Sequence, residues 1–120
     1  MKRTKRFFKC FEYARDGIVE GFRERNMKIH GLTALSVIFF GILFDLVVWE
    51  WIVIFLLFGM VMGAELINTS IEDLANVIRD KEGLDYRATK TTRDLAAGAV
   101  LVTAIMSAII GTLIFGSKLF

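Results

Sequence analysis

Apolar and polar positions divide this chain into three long hydrophobic runs joined and preceded by charged segments. The first run extends from about Ile29 to Trp49 and the second from Trp51 to Ile71, with Glu65 as its one charge. The third, Leu95 to Ser117, is 23 uncharged residues without interruption. A helix needs about 20 predominantly apolar residues to cross the hydrocarbon of a bilayer. In that solvent every backbone polar group must be paired within the segment. The pattern therefore predicts an all-α membrane protein with spans near 29–49, 51–71 and 95–117. Between the first two lies FDLVVWEW, a tight acidic hairpin with Trp49 and Trp51 as interfacial anchors.

A fourth pattern precedes the spans. Phe7, Phe11, Ala14, Ile18 and Phe22 recur at steps of four, three, four and four, one face of a helix, with Lys9, Glu12, Arg15 and Glu20 off that stripe. Residues 1–28 thus read as an amphipathic helix on the membrane surface, with Lys5 and Arg6 near headgroups. Packing of the same stripe on the protein's own bundle is compatible with the pattern as well. The loop RDKEGLDYRATKTTRD extends the second helix to about Arg79, turns at Gly83 and restarts near Thr91.

Composition changes the picture little. The 120 residues form one domain, 55% hydrophobic, with no proline to break long helices. A net charge of +2 gives no basis for a nucleic-acid partner. Cys10, the single cysteine, excludes an intramolecular disulfide. The placement of charge is more informative. Residues 1–28 hold nine of the fifteen Lys and Arg, Glu72–Asp94 five, Asp45–Glu50 none, and the C-terminus only Lys118. The positive-inside rule then puts the N-terminus and the second loop in the cytoplasm and the C-terminus outside.

Candidate chemistry lies at the end of the second run, in GAELINTSIED. Glu65, Asn68 and Glu72 stand at i, i+3 and i+7, one face of a helix, descending about 10 Å toward the cytoplasmic edge. Ionisable groups at membrane depth are costly and rare. Glu65 is the deepest and least supported by water, as suits a general base acting on an alcohol. Glu72, nearer water, suits Mg2+, which takes few protein ligands and completes its shell with water and phosphate. Bland readings stand beside these: Asn68 as interhelical glue, Glu72 and Asp73 as a solvated helix end. Three polar groups on one face, one inside the run, favour a site. Glu24 before the first span and Asp94 before the third fall at the height of Glu72, flanked by Arg25, Lys28 and Arg93. Three acids there would suit a metal–triphosphate, although Asp94 is also favourable simply at a helix N-terminus. The chain has no phosphate-binding loop, no protein-kinase signature set and no Ser/His/Asp triad. Its lone histidine, His30, cannot build a His-based metal site.

With RDLAAGAVLV downstream and ERNMKIH upstream, GAELINTSIED resembles the small three-span prokaryotic lipid kinases, the diacylglycerol kinase/undecaprenol kinase family. The resemblance covers about Arg6 to Gly116 and centres on E-x-x-N-[ST]-x-I-E, here Glu65 to Glu72. It implies ATP- and Mg2+-dependent phosphorylation of a membrane lipid alcohol by a homotrimer with sites between subunits. Glu65 then resembles the catalytic base and the group facing the lipid substrate, and Asn68 the residue that helps to place it. Glu24 and Glu72 resemble the metal-holding acids. Arg93 and Asp94 match a nucleotide-contacting Lys-Asp pair, with Arg where the pattern has Lys, and Arg6 and Tyr13 match N-terminal positions near nucleotide. The loop from Asp80 to Thr92 is longer than in the best-known diacylglycerol kinases. ERNMKIH resembles the Gram-positive branch, which points to undecaprenol as acceptor and diacylglycerol as the alternative. A different class, a non-catalytic membrane adaptor or small channel subunit, would use Glu65 and Asn68 as pore lining or glue.

Overall fold

The computed structural model describes residues 2–120, and the described residues form four helices and no strand. Helix α1 spans Lys2–Gly21, α2 Arg25–Leu43, α3 Val48–Glu82 and α4 Lys90–Leu119, with a 3-10 turn at Tyr86–Thr89 ahead of α4. Helices α2, α3 and α4 are each long and apolar enough to cross a membrane.

The sequence reading closed the first apolar segment at Trp49, but α2 ends at Leu43 and Trp49 belongs to the first turn of α3. The cause is a Schellman-type stop. Asp45 takes a left-handed backbone, φ 55°, and donates its N–H to Ile42 O at 3.2 Å, while Leu46 N–H reaches Gly41 O at 3.1 Å. Leu46 is thereby turned inward, where it forms the hairpin-end core with Ile54 and Ile114. At its other end α3 stops at Gly83, φ 66°, a conformation glycine adopts without penalty. Arg79 and Lys81 in the last turn complement the helix dipole.

The molecule is a slab, 57 × 47 × 19 Å, little thicker than two helices. Such a shape has almost no interior, so side chains such as Phe39, Leu101 and Leu113 remain exposed. In lipid that exposure costs nothing, because acyl chains are as apolar as leucine. Helix α4 packs along α3, while α2 leaves a cleft of about 670 Å³ lined by α2, α3 and α4. The small residues Ala104, Ser107, Ala108 and Gly111 face this cleft rather than a packed neighbour. Gly59 and Gly63 have open space where side chains would be.

Helix α1 meets the rest of the chain at its C-terminal end. Gly21 is buried, and a Cβ there would run into the Leu66 side chain. The stripe of Phe7, Phe11 and Ile18 remains exposed. Thus α1 is anchored beside Leu66, next to Glu65, and its apolar face is left without a protein partner.

Candidate functional site

The helical rise places Glu65 about 26 Å along α3 from Val48, near the edge of a hydrocarbon core about 30 Å thick. Its side chain turns into the bundle, and the residue is 3% exposed. Asn68, one turn on, is 5% exposed. Next along the face, Glu72 is half-buried and accepts a 3.4 Å hydrogen bond from Asn68 Nδ2. The graded face is therefore real in depth, and it faces inward.

These polar groups are incompletely satisfied. Asn68 Oδ1 is buried and has no hydrogen-bond partner in the chain. A buried acceptor left unpaired costs about 1–3 kcal/mol, which a bound donor would recover. Across from Glu65, His30 on α2 brings Nε2 to 3.8 Å from Oε2. Among the described residues it is the one basic group within ion-pair distance of Glu65. The sequence excludes a His-based metal site at the lone His30 and does not predict this approach. Its placement after ERNMKI, at the height of Glu65 on the neighbouring helix, was the available signal.

The acids at the boundary are dispersed. Glu24 occupies the N-cap position of α2, exposed, with its side chain making no capping bond. Asp94 is exposed and ion-paired to Lys90 at 2.6 Å, one helical turn away on α4. That carboxylate holds the Lys90 ammonium above its usual range, first through the hydrogen bond and then through its charge. Among the described residues no three His, Cys, Asp or Glu side chains converge as a metal site. The expected three-acid cluster of Glu24, Glu72 and Asp94 is thus not assembled within one chain. Mg2+ does not require it, since one or two carboxylates plus water and phosphate suffice. Glu72, in contact with Asn68, is a hard-oxygen donor that fits such an ion, and Glu24 is an exposed carboxylate of the same kind.

Arg93 is committed to the protein. The residue is 9% exposed, and its Nη2 donates to Asn76 Oδ1 on α3 at 2.9 Å. Its Nε donates to Thr89 Oγ1 at 3.0 Å, and the guanidinium lies 4.9 Å from the Tyr86 ring centroid. This planar fork clamps the start of α4 to α3, a geometry an ammonium could not reproduce. Asn76, Tyr86 and Thr89 were not singled out from sequence, because side chains 17 residues apart in a polar loop carry no periodicity. Arg6 and Tyr13 lie on α1 and are exposed.

At the opposite end of α3 a second buried acid, Glu50, is 3% exposed. Its Oε1 accepts from Lys118 Nζ at 2.8 Å and from Val47 N–H at 3.0 Å. This ties the last turn of α4 to the first turn of α3.

Comparison with known proteins bears on what such a site does. The sequence profile of the family described as "Prokaryotic diacylglycerol kinase" matches residues 12–115. The chain is 46% identical over 115 residues to "Undecaprenol kinase" of Bacillus subtilis (strain 168), covering 95% of this chain and 91% of that protein. It is 36% identical over 103 residues to "Diacylglycerol kinase" of Synechocystis sp. (strain ATCC 27184 / PCC 6803 / Kazusa), covering 84% of this chain and 57% of that one. No solved structure matches the chain.

Proposed function

The chain belongs to the prokaryotic diacylglycerol kinase family, and from that premise we propose that it transfers the γ-phosphoryl group of ATP to the hydroxyl of undecaprenol, giving undecaprenyl phosphate. The observation that carries the reading is the Glu65–Asn68 face, buried and under-satisfied at the edge of the apolar span. The relative from Bacillus supports undecaprenol. The relative from Synechocystis keeps diacylglycerol as the second acceptor.

In this mechanism the lipid hydroxyl enters from the headgroup boundary beside α3. Asn68, one helical turn from Glu65, helps to place it. Glu65 takes the hydroxyl proton as the lipid oxygen attacks the γ-phosphorus in line and ADP leaves. Glu24 and Glu72 would hold Mg2+, which when bound supplies positive charge against the phosphate oxygens. Phosphoryl transfer needs mainly positioning and electrostatics, which suits a site with few reactive groups. Arg6 and Tyr13 reach nucleotide from α1, and Asp94 from the start of α4. Arg93 acts by holding that start of α4 in register through Asn76 and Thr89.

The exposed Phe7–Phe11–Ile18 stripe supports α1 as an amphipathic helix on the inner leaflet. With the charge bias, this supports a cytoplasmic N-terminus and a C-terminus outside the bacterial cytoplasmic membrane. A homotrimer is favoured by the slab's lack of interior and by the open faces at Gly59 and Gly63. A neighbouring subunit would also bring further groups to the dispersed acids.

The test is direct. Purified protein is incubated with γ-labelled ATP, Mg2+ and, separately, undecaprenol or diacylglycerol. Label in undecaprenol at much the higher kcat/KM is expected. Preference for diacylglycerol would exchange the two acceptors, and label in neither, with folded protein, would favour a non-catalytic membrane subunit.

A further inference from the structure

Glu65 faces a difficulty that its role as a base creates. A carboxylate that accepts the lipid proton must release it before the next turnover, and at 3% exposure it has little access to water. Asn68, on its own helix, has an amide that cannot carry a proton onward. Among the described residues, the titratable group that meets Glu65 is His30, with Nε2 at 3.8 Å from Oε2. That distance exceeds a direct hydrogen bond and is closed by one small side-chain rotation. The His30 side chain is 22% exposed and stands about 8 Å along α2 from Arg25, toward the charged end of that helix.

Resting on the kinase reading above, we propose that His30 is the proton exit for Glu65, a positioning residue that resets the base between turnovers. The lipid O–H bond breaks as the O–Pγ bond forms, and the proton goes to Glu65 Oε2. From there it passes to His30 Nε2 and then to water, while ADP departs with the bridging oxygen. No further reactant is required. Imidazole suits the task because it can accept a proton at one ring nitrogen and donate one from the other. His30 also lines the apolar cleft, so it stands where the chain of an acceptor would enter. The groups around it are simple. Glu65 faces it from α3, the α4 residues of the same cleft, Ala104 and Ser107, carry no titratable group, and Arg25 and Lys28 on α2 are exposed.

The experiment measures undecaprenol phosphorylation by the full chain in mixed micelles from pH 5 to 8, for wild type, His30→Asn and His30→Ala. His30→Asn keeps a polar side chain but cannot accept the proton. A fall in kcat of about tenfold or more is expected near neutrality, as for loss of a proton-transfer group. KM for ATP and lipid should stay within about twofold, and the acid limb of the wild-type profile should shift to lower pH. Added imidazole should restore part of the His30→Ala rate. Should His30→Ala fail to fold, His30→Asn carries the test through its kcat and pH profile. Unchanged kcat and acid limb in His30→Asn overturn the relay, and so does a raised lipid KM at unchanged kcat, which would make His30 a wall of the cleft. Absence of labelled lipid from wild type at every pH overturns the kinase reading and the relay together. Labelled lipid from wild type with an unaltered His30→Asn rejects the relay alone.

Discussion

Helix α3 carries two acids of equal burial and opposite circumstance. Glu50 and Glu65 are both 3% exposed. Glu50 is paired, with an ammonium at 2.8 Å and a backbone N–H at 3.0 Å on one oxygen. Glu65 has an imidazole at 3.8 Å and, among the described residues, accepts no hydrogen bond. Its neighbour Asn68 has an unpaired oxygen. A buried carboxylate with its partners in place is a fastening. One whose partners are missing is held ready for something that arrives. Burial alone does not separate the two, and the inventory of partners does.

Substitution at each acid should break this comparison in opposite ways. The largest effect is expected at Glu65. Glu65→Gln should lower kcat by about 10²–10⁴-fold with the melting temperature unchanged or raised. Labelled-lipid assays beside thermal melts check this, and an active Glu65→Gln protein would remove the proposed base. Glu50→Gln or Lys118→Met should do the reverse, keeping kcat while lowering the melting temperature in detergent by several degrees. Removing one partner leaves the other charge buried and alone, so the double variant should melt closer to wild type than Lys118→Met does. A double-mutant cycle reads that coupling.

Two smaller effects sharpen the contrast at the start of α4. Arg93→Lys should lose the fork to Asn76 and Thr89, worth about 1.5–3 kcal/mol for a charged hydrogen bond. Its signature is a raised KM for ATP, measured against an unchanged lipid KM. Smallest of all, Lys90→Ala should leave the melting temperature within error, since exposed i,i+4 pairs contribute little. Asp94 raises the Lys90 pKa, so the pair's contribution is fully present below lysine's usual titration range and is lost only above it. The small difference between Lys90→Ala and wild type should therefore be flat across neutral pH.

Much of this was legible in one dimension. Apolar run length predicted three spanning helices, and the spacing of Glu65, Asn68 and Glu72 predicted a shared face, which the structure turns inward. The turn at Gly83 also followed from composition, since glycine alone adopts a left-handed backbone freely. The end of α2 at Leu43 was less accessible, because Asp45 replaces the glycine that usually marks such a stop. Nor did spacing reveal that Arg93 is spent on Asn76 and Thr89, or that Gly21 presses against Leu66.

The chain by itself determined which stretches are apolar and long enough to cross a bilayer and which side of α3 carries acid and amide, because bilayer thickness and the helical repeat act on each segment locally. Only the tertiary structure decided that Glu50 meets Lys118 and Glu65 meets His30. Those pairings depend on how neighbouring helices align in height and rotation, which is set by side-chain packing between segments and leaves no periodic trace within either one.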